Sequence, residues 1–369
     1  MVRRLLHLNG LAILGVILFH ASGMGFVAMF AWTHRYLPVT VPNYDQMGSV
    51  AYYGLRVIEG LVTFSIPAFL FISGFFIAFA AGRTQSKVSW DYVFSRIKYL
   101  ILPYSIWFLV TLALLFIEGY RESLTGILVS YATGRINPVF YYVPLLIQLY
   151  LLSPLLVGLA RKNWQVLLLV AALIQIAVQA LQYPYFLGID APVVQQIASL
   201  FPKWFFPVRI FWFVLGIVIG FNLNQFKARF SHYRWLFLSI AMLFLVSSMV
   251  EWELLLRVSG QAWVDHRETF TDLIYAGMLL LSFLLFDKVE LPLGRQISDL
   301  GAKSYGIYLT HALVIEYTAR VIYKVYPPLL GNQFLFQPLL ILVGLGIPLL
   351  MMAVVKKTPL RSIYTYVFG

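Results

Sequence analysis

Long apolar stretches alternate with short polar breaks along the whole chain. A bilayer core calls for about 20 consecutive apolar residues per helix. Ten stretches qualify: residues 7–32, 52–81, 99–118, 139–160, 164–182, 204–223, 234–252, 270–286, 302–322 and 335–355. Backbone groups in lipid must be satisfied within the segment, which favours helices. The pattern therefore predicts an all-α polytopic membrane protein with about ten transmembrane helices. No stretch between them is long enough for a soluble domain, so residues 1–369 read as one membrane domain. The longest breaks, 33–51 and 183–203, carry Pro and Asn like ordinary loops.

Composition agrees. Hydrophobic types make up 61% and charged types 11%, and mean hydropathy is +0.82. Soluble domains hold about 45–50% apolar and about 25% charged residues. The absence of cysteine excludes disulfides, a thiol nucleophile and Cys-ligated metal. A net charge of +12 would suggest nucleic acid in a soluble chain. Here the basic residues flank apolar runs, as topology signals do, and no nucleic-acid partner is expected. With the N-terminus inside, 17 Lys and Arg fall on the cytoplasmic side and 8 outside, with Arg56 and Arg209 within spans. Both termini are therefore expected in the cytoplasm. The start, Met1-Val2-Arg3-Arg4 before an apolar run, resembles a signal peptide. The run continues to Trp32, so a retained first helix is expected.

Ionisable groups inside spans cost about 2.5–3.5 kcal/mol on insertion scales and by default mark function. They are His20, Arg56, Glu59, Arg209, Asp272, His311 and Glu316. His20 lies roughly 20 Å, and His311 roughly 14 Å, from the inner surface at 1.5 Å per residue. Two imidazoles at similar depth suit proton transfer near neutral pH. The plain alternative is that each hydrogen-bonds a neighbouring helix. Arg56 and Glu59, three residues apart, share a helix face. They are either a self-neutralised pair or an orienting carboxylate and a ligand contact. Arg209 either snorkels to outer headgroups or faces a substrate. Ser73-Gly74 permits close helix approach. Arg96-Ile97-Lys98-Tyr99 is either a positive-inside anchor or a phosphate site. No P-loop, GxSxG or HExxH motif is present, and no metal is expected.

The order of these blocks resembles the acyltransferase 3 family of membrane acyltransferases. The matching residues are Arg4 and Asn9-Gly10-Leu11 leading to His20, then Pro67 to Phe75 with Ser73-Gly74, then Arg96 to Tyr104. Tyr142 to Pro154, Phe213 to Gly220 with Gly216, and Ser304 to His311 follow in family order. The third block looks most like the branch that O-succinylates or acetylates poly-N-acetylglucosamine-type exopolysaccharides. Two departures stand out. Asn9 occupies the usual acidic place of an Asp-Gly-Leu-Arg-Gly block, and Tyr99 replaces a second Arg beside Lys98.

The resemblance implies O-acyl transfer from acetyl-CoA or succinyl-CoA in the cytoplasm to a hydroxyl of a surface polysaccharide or lipid-linked glycan. It implies a bacterial cytoplasmic membrane, and association with polysaccharide synthesis or export machinery, or a homodimer, would be compatible. His20 would be general base or acyl relay, and His311 would polarise the thioester or pass a proton. Glu59 would orient an imidazole. Arg96, Lys98, Tyr99 and Ser73 would hold the donor, and Arg56, Arg209 and Asn9 the acceptor. Only 14 residues follow Val355, so the membrane domain itself would complete the transfer. A transporter or flippase for a glycan, or a structural subunit of a polysaccharide synthase, remains open on the same residues.

Overall fold

The computed structural model describes residues 2–82, 88–264, 268–286, 289–290 and 292–369. Arg83, Lys87, Asp265, His266, Arg267 and Lys288, part of the charge and loop reading, lie outside them. The described residues contain helices and turns and no β-strand. The helices are α1 (Val2–Phe26), α2 (Val50–Val62), α3 (Ser65–Ala81), α4 (Trp90–Ile117), α5 (Leu124–Thr133), α6 (Tyr142–Ala180), α7 (Tyr183–Phe186) and α8 (Pro192–Ser199). They continue as α9 (Ile210–Phe230), α10 (Arg234–Ser259), α11 (Phe270–Leu285), α12 (Gly294–Ala302), α13 (Ser304–Val325), α14 (Gln333–Lys357) and α15 (Tyr364–Phe368). The all-α membrane class read from the apolar pattern is the one observed. Among the described residues, six helical runs are long and apolar enough to cross a bilayer.

Two of those runs fold back on themselves. In α6, Gln148 donates to the Trp204 carbonyl at 2.8 Å, and Gln175 accepts the Phe211 amide at 3.1 Å. A continuous helix would hold Gln148 and Gln175 about 40 Å apart. Residues 204 to 211 can span only about 25 Å even when fully extended. The chain therefore reverses at Asn163, which has non-helical angles (φ −157°, ψ 85°) and accepts the Val166 amide. The run from α9 into α10 reverses through the 3₁₀ turn at Ser231–Tyr233. Arg209, before α9, bonds Glu268, and Glu251, late in α10, accepts from Thr271. Both ends thus return to one short segment.

The α1 and α13 helices run parallel. Arg4 donates to the Phe283 carbonyl at 2.9 Å and Asn9 to the Gly301 carbonyl at 3.4 Å, near the start of both helices. At the other end Arg35 donates to the Tyr323 carbonyl at 3.1 Å. The side holding Arg4 is termed here the N-terminal face, and the other the far face. The α4 helix follows the same direction, with Tyr305 donating to the Leu100 carbonyl and Arg320 pairing with Glu118.

Glycines set the closest helix contacts. A Cβ on Gly74 would run into the Phe213 carbonyl, and one on Gly216 into the Phe71 carbonyl. The Ser73-Gly74 and Gly216 blocks therefore meet each other, α3 against α9, at backbone contact distance. Gly10 and Gly301 make the same reciprocal approach between α1 and α12, through the carbonyls of Ile297 and Leu6. The α1 and α13 helices pack around the interior, where His20 and His311 lie.

Candidate active site

His20 and His311 project from parallel helices to one depth, with ring centroids 5.2 Å apart. His311 is fully buried. Its Nδ1 lies 2.8 Å from the Tyr308 carbonyl and 3.1 Å from that of Ile307. A carbonyl can only accept, so Nδ1 carries the proton and Nε2 keeps its lone pair. That Nε2 has no hydrogen-bond partner among the described residues. His311 is therefore an imidazole fixed through its Nδ1–H, behind a more accessible one.

His20 lines a cavity of about 640 Å³ that extends beneath the 183–203 segment on the far face. Tyr308 shares its wall, held by donation of its hydroxyl to the Val139 carbonyl. Arg209 and Glu268 line the same cavity and are joined at 2.7 and 3.1 Å. The pair is largely buried, so each charge is neutralised by its partner rather than by water. Lys203 adds a second cation to the wall. The cavity thus combines a titratable base, a self-neutralised ion pair and a lysine, enough to activate a hydroxyl and position a polar molecule.

The structure brings some of the expected residues together and separates others. His20 and Arg209 share the cavity. His311 backs His20 but does not line the cavity, a placement that fits proton passing and not contact with a thioester. Arg56 and Glu59 face α10 instead. They pair at 2.9 Å, and the Arg56 guanidinium lies 4.4 Å from the Trp263 ring centroid, 4.9 Å from Trp252 and 5.0 Å from Phe26. Neither lines the His20 cavity; Arg56 borders a separate one of about 400 Å³. The expected contact of Glu59 with an imidazole is thus replaced by a caged ion pair, because the face Glu59 shares with Arg56 turns toward α10. Asn9 is also displaced from the expected acceptor side. It bonds Gly301 at the N-terminal face, where α1 packs on α12.

Arg96, Lys98 and Tyr99 are exposed on α4 at the N-terminal face, and Arg96 donates to the Tyr92 hydroxyl at 2.9 Å. Ser73 donates to the Phe69 carbonyl and sits beside the Tyr142 and Tyr150 phenols. Tyr142 packs 5.3 Å from Tyr308, whose ring is 5.9 Å from His311. Ser73, Tyr142 and Tyr308 therefore pack in series toward His311. The residues that the apolar pattern did not single out are Tyr308, Lys203, Glu268 and three glutamines, Gln179, Gln182 and Gln195, all on the cavity wall. Only the spacing of Gln175, Gln179 and Gln182, one helix face, offered a signal.

Comparison with known proteins gives this arrangement a family. The chain is 24% identical over 303 residues to the probable poly-beta-1,6-N-acetyl-D-glucosamine export protein of Staphylococcus epidermidis, covering 77% of each chain. A second sequence of that description, from strain RP62A, aligns equally. No solved structure matches. The acyltransferase 3 family model, described as an acyltransferase domain, matches residues 5–353, from the start of α1 through nearly all of α14. With its paired imidazoles inside that span, the chain belongs to the acyltransferase 3 family.

Proposed function

We propose that this protein is a membrane O-acyltransferase that moves an acetyl or succinyl group from cytoplasmic acyl-CoA to a hydroxyl of a cell-surface glycan. The observation that carries the reading is His20, lining a cavity on the far face with His311 fixed behind it. In this reading the chain crosses a bacterial cytoplasmic membrane ten times with both termini inside, and the far face is external. The acceptor hydroxyl enters the cavity and His20 takes its proton. The hydroxyl oxygen attacks the thioester carbonyl, a C–O bond forms, the C–S bond breaks, and the proton passes to the departing CoA thiolate. The lone pair on His311 Nε2 can accept the far N–H of His20 and so turn its other nitrogen to the substrate. Arg96 and Lys98, exposed at the opposite face, suit the donor phosphates.

The export role named for the Staphylococcus relatives supports a second reading, movement of a glycan across the membrane. Purified protein in liposomes separates the two. With labelled acyl-CoA and glycan, the acyltransferase forms an ester and stops doing so on His20→Ala. Glycan movement without CoA, with no ester formed, would overturn the acyltransferase reading.

A further inference from the structure

Part of the cavity wall that His20 shares is built from uncharged amides. Gln179 reaches it from the second limb of α6, Gln182 from the link between α6 and α7, and Gln195 and Ser199 from α8. The Nε2 of Gln179 is buried and has no hydrogen-bond partner among the described residues, although Gln179 lies on the cavity wall. An unpaired amide donor in so buried a place is costly unless something else supplies an acceptor.

The α8 helix adds an independent sign. Its polar residues Gln195 and Ser199 face the cavity, while Val193, Ile197 and Leu200 are left 68%, 41% and 66% exposed. These three recur at helical spacing (i, i+4, i+7) and form an apolar stripe directed away from the protein. A helix that only packed on its own protein would turn that stripe inward. Here the polar stripe turns inward, and the apolar one suits the membrane interface. The orientation makes sense if the cavity holds a polar ligand.

We propose that Gln179, Gln182, Gln195 and Ser199 form an acceptor subsite for a neutral sugar carrying hydroxyl and N-acetyl groups, roofed by the lipid-anchored α8. The proposal rests on the acyltransferase reading above and names how its acceptor is read. Primary amides both donate and accept, as hydroxyl and N-acetyl groups do. Lys203 and the neutralised Arg209–Glu268 pair provide no net negative charge, so an amine-bearing sugar is disfavoured.

The test is direct binding in nanodiscs without acyl-CoA, by saturation-transfer NMR, using an N-acetylglucosamine oligosaccharide and its deacetylated, cationic counterpart as probes. The N-acetylated probe binds and the cationic one does not. Gln195→Ala and Gln182→Leu weaken binding on the order of tenfold, the loss of one hydrogen bond to a bound group, and His20→Ala retains it. Gln195 is exposed, so its replacement leaves the fold intact. In turnover, Gln195→Ala raises KM for the glycan and leaves KM for acyl-CoA unchanged. Equal binding by wild type and both glutamine variants, or preference for the cationic probe, would overturn the subsite. Neither result would touch the acyltransferase reading, which fails only if no ester forms.

Discussion

The imidazoles of His20 and His311 stand 5.2 Å apart on parallel helices, one at the cavity wall and one sealed behind it. The carbonyls of Ile307 and Tyr308 fix the His311 tautomer. Each residue accordingly has its own expected signature. His20→Ala lowers acyl transfer by about 10²–10⁴-fold, the usual contribution of a general base. His311→Gln lowers kcat by less, leaves KM for the glycan unchanged and alters the pH profile of kcat. Steady-state kinetics with labelled acyl-CoA in nanodiscs measures both. Equal losses from the two variants, with KM for glycan raised in each, would place both residues against substrate.

The α3–α9 contact depends on glycine. Replacing Gly74 or Gly216 with Ala pushes a methyl group into a facing carbonyl. Overpacking of this kind costs about 1–3 kcal/mol. Thermal unfolding in detergent should show each variant destabilised. Gly23→Ala is the control, because a Cβ there meets nothing within 4 Å. Stability unchanged in Gly74→Ala would mean that the two helices sit further apart.

Arg56 is caged by aromatic rings at the far face. Its guanidinium faces Trp263, Trp252 and Phe26 and pairs with Glu59. Trp263→Ala removes the nearest ring, worth up to about 2 kcal/mol where the cation is desolvated. Arg56→Lys does not restore stability, since a point ammonium cannot stack on the rings and pair with Glu59 together. Both variants lower the melting temperature while the remaining folded enzyme keeps its KM for glycan. A raised KM with normal stability would return Arg56 to the substrate site.

Glu118, just past the end of α4, ties that helix to α13. The hydrogen bond from Tyr317, and next that from Arg320, holds its carboxyl below the usual carboxylate range. A lowered folded-state pKa contributes stability above the unfolded-state pKa, and that stability is lost as pH falls through the folded-state pKa. Glu118→Gln therefore melts below wild type at neutral pH, and the gap closes on acidification. Melting curves across the acidic range check the sign; a gap that widens on acidification contradicts it.

Much of the architecture was legible from one feature, the length of apolar runs, because lipid imposes a single solution on the backbone. The depth of an ionisable group could also be counted along a helix, and the count put His20 and His311 at similar depth; that their rings meet came from the packing. What a count cannot supply is the direction a face turns. Arg56 and Glu59 were rightly paired by spacing, yet their shared face points to α10 and not to the imidazoles. Asn9 matched a motif position, yet the glycine contact between α1 and α12 holds it at the N-terminal face. The cavity glutamines carry no charge and lie in or beside apolar stretches, so hydropathy passed over them.

The sequence by itself determined the all-helical membrane class and the similar depth of two histidines, since each follows from residue type and the 1.5 Å rise of a helix. Tertiary structure alone decided that His20 meets the cavity and His311 stands behind it. It also decided which polar groups complete the wall. Those groups come from α6, α8, α13 and the connecting segments that carry Gln182, Lys203, Arg209 and Glu268. Only packing brings such distant segments together, because a cavity is defined by several helices at once and no local pattern records which of their faces will meet.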